Sequence, residues 1–281
     1  MQRVYIMICL LCLLSLMLGC LAGSKCVRKE REVHHLGIKG DNNFLTLAKI
    51  DEGNLTVMRN TPAQQAYSAL LENLNKLKAS LNYRPEGFNR SQFDNIFQVW
   101  VDSQGFKKDR DDEDKVYASL NRDVEALSNL KIIVNNLASV GNHVMALTIA
   151  IKLLNNLKSS VEYISEVIND KGSILSIDNL LALRASNNIV DMRDIKYFLG
   201  LMLSIRNNLM ERFKIMLEGA AGLATMKVVE QSNVQALILH LDKIIKEDEF
   251  LYKSIFSTSK PILGLQGLRD LIKIRVDKLG H

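Results

Sequence analysis

Proline occurs three times and tryptophan once in 281 residues, and aromatic side chains make up only 6% of the chain. Proline breaks helices by removing a backbone donor, so its rarity leaves long helical runs open. Strand signals are lacking as well: no stretch alternates apolar and polar residues over a strand's length, and no Asn-Gly hairpin turn occurs. Of the four cysteines, Cys9 and Cys12 lie in an apolar leader and Cys20 ends it, which leaves Cys26. An intramolecular disulfide framework is therefore excluded once the leader is removed and Cys20 is used for another purpose. Cys26 is then either an intermolecular bridge or an unpaired thiol. Catalytic motifs are missing too, since the chain has no His-Glu-x-x-His, no nucleophile elbow and no phosphate loop. Nothing in the sequence brings His143 and His240 together or sets a base beside Cys26, and Glu247-Asp248-Glu249 reads as a solvated helix face. The expectation is a protein that is not an enzyme and carries no cofactor or metal. The formal net charge of +5 is mild, and Lys107-Lys108 runs straight into Asp109 to Asp114, so nucleic acid is not an expected partner.

Charge is also absent from Val4 to Leu18, an apolar run behind Arg3 that closes on Gly19-Cys20. A short positive region, an apolar core and a small residue before cysteine have the form of a signal cleaved ahead of a lipidated thiol. Residues 1–19 are therefore expected to be a lipoprotein signal peptide and Cys20 the lipidated first residue of the mature protein. An ordinary signal peptide cut nearby and an uncleaved anchor are the alternatives. Several acyl chains on Cys20 would suffice for stable membrane anchoring. Residues 20–43 hold Gly23, Gly37, Gly40 and a mixed-charge run without an apolar period, which predicts a tether. Fully extended, it reaches on the order of 70 Å at about 3.3 Å per residue. His34-His35 within it lacks companion ligands and reads as solvated linker.

Residues 44–281 are expected to form one helical bundle domain of about seven or eight elements; with 47% of the chain hydrophobic, core material is ample. Phe44 to Met58 is ambiguous between a short helix and an irregular docking segment. Thr61-Pro62 is a cap with proline at the first helical position, followed by Tyr67, Leu70, Leu71, Leu74, Leu77 and Leu81 at spacings of three and four. Ser91 is expected to cap a short helix carrying Phe93, Ile96, Phe97, Trp100 and Val101, an aromatic plug for the core. Val116, Leu120, Val124, Leu127, Leu130, Val134 and Leu137 repeat at three and four, which predicts one long amphipathic helix. The next, from Leu147 to Ile168, follows so short a turn that the two should pack antiparallel. A short helix opens at Ser176. A long one then carries Ile195, Phe198, Met202, Ile205, Leu209, Phe213 and Met216, and Gly219 to Gly222 is expected to end or bend it. Val234 to Ile255 is expected to form one helix and about Pro261 to Leu279 the last.

The block Lys115-Val116-Tyr117-Ala118-Ser119-Leu120, with Asp123, Leu127, Leu130, Ile133 and Leu137 after it, resembles the central pattern of the Borrelia virulent-strain-associated surface lipoproteins, a family that includes complement-regulator-acquiring proteins. The helix order downstream is similar, over roughly Thr61 to Leu279. The resemblance implies a helical bundle without enzymatic activity, anchored by lipid at the outer membrane's cell surface. It further implies that the protein binds a host serum protein, above all complement components or regulators of the factor H class, as a virulence factor in complement evasion. By position it makes Leu265, Leu268, Ile272, Val276 and Leu279 a candidate dimer or partner face; packing of this stripe on its own bundle is the equal alternative. An adhesin for host matrix, plasminogen or glycans, using the Lys/Arg side of the last helix, and a structural envelope lipoprotein remain as rival readings.

Overall fold

In a computed structural model of the chain, the structure describes residues 61–99, 109–139, 144–169, 172–225 and 231–280. Cys20, Cys26, the leader, the tether, the 44–58 segment, Trp100, Val101 and His143 lie outside these residues. Among the described residues the fold is all-α, without a strand.

The first helix, α1 (Pro62–Asn82), begins as its sequence predicts. Thr61 Oγ1 accepts from the Gln64 amide at 3.2 Å, and the Thr61 amide donates to Gln64 Oε1 at 2.9 Å, a reciprocal capping box. Ala66, Leu70, Leu74, Leu77 and Leu81 form its buried stripe, while the expected Tyr67 and Leu71 are only half-buried. Where a short helix from Ser91 was expected, two 3₁₀ turns follow instead, Arg90–Gln92 and Asp94–Phe97. Asn89, not Ser91, supplies the cap, accepting the Ser91 amide at 3.1 Å. The aromatic plug is present in Phe93, Ile96 and Phe97, all buried, with Phe97 and Phe88 edge-on to Tyr117 at 5.3 and 5.4 Å.

The long helix expected from Val116 to Leu137 is two: α2 (Arg110–Ser119) and α3 (Val124–Ser139). Asn121 and Arg122 between them take left-handed backbone angles, φ 55° and 54°, a conformation that costs a residue with a Cβ. The break is stabilised from both sides. Asp123 Oδ1 caps α3 by accepting the Ala126 amide at 2.9 Å, and the buried Arg122 side chain donates to Leu81 O at 2.8 Å and Tyr83 O at 2.7 Å, tying the turn to the end of α1. The apolar period runs on through the turn, which is why the sequence alone conceals it.

Beyond α4 (Val144–Ile168) and α5 (Ile177–Ser186), the helix α6 (Ile189–Thr225) continues past Gly219 and Gly222, so the end expected there does not occur. Its buried stripe is Met192, Ile195, Leu199, Met202, Arg206, Leu209, Phe213 and Leu217; the expected Phe198, Ile205 and Met216 are only half-buried. The single helix expected from Val234 to Ile255 is broken into α7 (Gln231–Ile245) and α8 (Phe250–Phe256), and the last helix, α9 (Leu265–Asp277), starts later than Pro261. Helix α6 packs on α1, α3, α7 and α9, and α4 on α2, α3, α7 and α9, so these two helices organise the core.

Two glycines set the α8–α9 corner. A Cβ on Gly264 would lie 2.5 Å from Lys253 O, and one on Gly267 would lie 2.7 Å from Ser257 O. Only bare backbone lets α9 start so close to the end of α8.

Candidate functional site

The stripe proposed by position for a second subunit is used within its own chain. Leu265, Leu268 and Ile272 are fully buried, Val276 is buried, and Leu279 packs half-buried against the core. Each such side chain contributes about 1.5–3 kcal/mol by leaving water, and α4 and α6 provide the apolar surface it meets. Packing on its own bundle is thus the arrangement seen. The Lys/Arg side of α9 is partly neutralised: Arg269 pairs with Glu166, and Arg275 reaches Asp194 at 2.9 Å and Asp191 at 3.5 Å.

Arg206 holds a place in the apolar stripe of α6, four residues after Met202 and three before Leu209. It is 2% exposed, and among the described residues no carboxylate pairs with it. Its guanidinium donates to Ser80 Oγ at 3.0 Å, Ser80 O at 2.9 Å and Ala118 O at 3.1 Å, at the ends of α1 and α2. Helix C-termini carry unsatisfied carbonyls and partial negative charge, so they take the place of an acid. Burial, with Arg122 nearby, pushes its pKa down to about 10, which leaves it charged at neutral pH. This cation is a structural latch. An arginine at a stripe position was the signal for it in the sequence.

A second polar set joins α2 to α4. Lys158 Nζ is 2.8 Å from Asp112, and Lys115 Nζ is 2.7 Å from Asp111 and 3.2 Å from Asp112. Within the same block, Val116, Tyr117 and Leu120 are fully buried. Burial drives the Tyr117 phenol far above its ordinary range, with Asp94 adding to the shift. His240 places Nε2 3.1 Å from Met216 O, and its ring fills the space that a Cβ on Gly219 would need.

A groove of about 800 Å³ lies between α6, α7 and α8, within the range of about 300–1,000 Å³ typical of binding sites. Helix periodicity builds its long wall: Ser204, Asn207, Asn208, Glu211, Arg212, Ile215 and Met216 recur at three and four on the side of α6 away from the buried stripe. From Ser204 to Met216 that wall runs roughly 18 Å, at about 1.5 Å per residue. Lys243 enters from α7, while Glu249 and Phe250 stand at the start of α8 and Leu251 closes the floor. Glu247 and Asp248 are solvated as expected, but Glu249 is drawn into the groove by the unforeseen break after α7.

Two apolar side chains stand proud of this groove, Ile215 at 66% exposed and Phe250 at 47%. The Arg212 guanidinium lies 4.7 Å from the Phe250 ring centre, and its Nε donates to Asn208 Oδ1 at 2.7 Å, which fixes the side chain in place. Among the described residues Arg212, Lys243, Glu211 and Glu249 form no ion pair. Exposed apolar knobs ringed by unpaired charges of both signs are suited to association with another molecule, which would cover the first and pair the second. Nothing in the sequence pointed to this groove, because most of its wall residues lie on the polar side of α6 and acquire meaning only when α8 folds back beside them.

Comparison with known protein families, with curated proteins and with solved structures finds no match for this chain. The class is therefore defined by the architecture itself: an all-α helical bundle with an open, mixed-charge groove along its longest helix.

Proposed function

We propose that this chain is a lipid-anchored protein of the outer membrane surface that binds a host serum protein, a complement component or regulator of the factor H class, and so serves immune evasion. The α6–α7–α8 groove carries the reading, with Ile215 and Phe250 exposed and Arg212 and Lys243 without a carboxylate partner among the described residues. The Gly19-Cys20 lipidation signal, the tether and the block Lys115 to Leu120 support it from the sequence. A captured regulator keeps its activity, so complement is switched off near the anchoring membrane. An adhesin acting through the basic side of α9 has less in its favour, because Arg269 and Arg275, two of its four cations, are already paired with acids.

The test is retention of serum proteins by the immobilised, detergent-solubilised full chain, read by mass spectrometry. The parent protein is expected to retain factor H or another complement protein. Ile215→Asp and Phe250→Ala should each weaken retention about tenfold or more, as for central apolar anchors, while Ile274→Asp on exposed α9 surface should not. Retention of no complement protein, or undiminished retention by both groove variants, would refute the reading.

A further inference from the structure

A smaller cleft of about 370 Å³ lies where the turn after α4 meets α5 and α9, away from the groove residues. Its walls include two carboxylates, Glu166 and Asp277, and two cations, Arg269 and Lys273, so their formal charges cancel. Ser173 and Asn179 add a hydroxyl and a carboxamide. Ser173 is 7% exposed, and its Oγ has no hydrogen-bond partner among the described residues. Arg269 is held in position: it bonds Glu166, and its guanidinium lies 5.1 Å from the Tyr163 ring centre. Its Nε is 2.8 Å from Asp270 Oδ1 but out of alignment for a hydrogen bond. The Asn179 amide group donates to Ile174 O at 2.9 Å, leaving its carboxamide oxygen available. Lys273 and Asp277, one helical turn apart on α9, are exposed and have no polar partner among the described residues.

We propose that this cleft is a saccharide site, taking a neutral pyranose with adjacent hydroxyls. A simple anion would meet Glu166 and Asp277, and a simple cation would meet Arg269 and Lys273. A sugar hydroxyl is donor and acceptor at once, so neighbouring hydroxyls satisfy a carboxylate and a cation together. Val276, mostly buried in the core, adds a small apolar edge to the lining. Ser173 Oγ is sealed from solvent in its present rotamer. Because it makes no hydrogen bond there, turning about χ1 toward the ligand breaks none, and serine rotamers interchange readily. The inference is independent of serum-protein capture at the groove and differs from charge-driven glycan adhesion in its response to salt.

The experiment is saturation-transfer NMR and calorimetric titration of the detergent-solubilised full chain with methyl glycosides of glucose, galactose and N-acetylglucosamine, and with a sulfated heparin disaccharide. At least one neutral glycoside is expected to bind, with affinity unchanged as salt rises, because the lining has no net formal charge. Lys273→Ala and Asp277→Asn, at exposed positions, should each weaken it about tenfold, the effect of one charge-assisted hydrogen bond. Silence from all neutral glycosides would overturn the proposal, as would unchanged affinity in both variants. Binding of the heparin fragment alone, abolished by salt, would mark an ordinary charged patch and overturn it equally.

Discussion

The α8–α9 corner permits a sharp test, because one substitution, glycine to alanine, has opposite expected signs at two positions. A Cβ on Gly264 would meet Lys253 O at 2.5 Å, Ser257 N at 2.9 Å and Ile255 C at 3.0 Å, all backbone atoms. An ordinary C···O contact is about 3.3 Å, so the new methyl intrudes by roughly 0.8 Å on atoms that cannot rotate away. Gly264 has extended angles, φ −87° and ψ −177°, that any residue adopts, so the effect is steric alone. Overpacking of this kind costs about 1–3 kcal/mol. The upper half of that range is expected here, because α9 as a whole must shift to make room. Gly222 in α6 is exposed, with nothing within 4 Å of an added Cβ, so Gly222→Ala should gain about 1 kcal/mol from helix propensity. Urea unfolding of the full chain, followed by helical circular dichroism, should move the midpoint down for Gly264→Ala and up for Gly222→Ala, with the slope unchanged. Should Gly264→Ala stay within about 0.5 kcal/mol of the parent, or Gly222→Ala lose as much as Gly264→Ala, the packing argument fails.

Two further perturbations probe the polar core. Arg206→Met strands the carbonyls of Ser80 and Ala118 that the guanidinium bonds; the expected loss is about 2–4 kcal/mol by the same unfolding assay, against little change for Arg212→Met, at an exposed position of the same helix. The acid limb tests Asp112 and Asp123. Burial raises both carboxyls, but hydrogen bonds from Lys158 and Lys115 to Asp112, and from the Ala126 amide and Lys214 to Asp123, outweigh it and hold both below the ordinary 3.8. With the folded pKa depressed, their contribution is complete above pH 3.8 and is lost as pH falls below it, since the unfolded chain takes up the protons first. Thermal midpoints across pH should therefore drop less steeply in acid for the Asp112→Asn/Asp123→Asn double variant, from a lower plateau at neutral pH.

The all-α class and most helix positions were determined by the sequence. Spacing of three and four is a local property, and the Thr61-Pro62 start needed only residues within one turn to form its capping box. The aromatic plug was readable for the same reason, as large apolar residues crowded into a few positions. Tertiary structure decided where the long runs stop. The apolar period does not pause at Asn121-Arg122; the break there is stabilised by Arg122 reaching the carbonyls at the end of α1, far away in the chain. Conversely, α6 ignores Gly219 because α7 lays His240 across it. The stripe on α9 shows the same division. Its apolar face was plain in the sequence, but whether that face met a second subunit or the protein's own core depended on α4 and α6 offering surface to it. The groove is the extreme case. The Ser204 to Met216 face, mostly polar, is an ordinary solvated surface until the turn after α7 returns Phe250 to stack beside Arg212. Local spacing fixes which residues share a face; only packing of distant segments determines what that face meets.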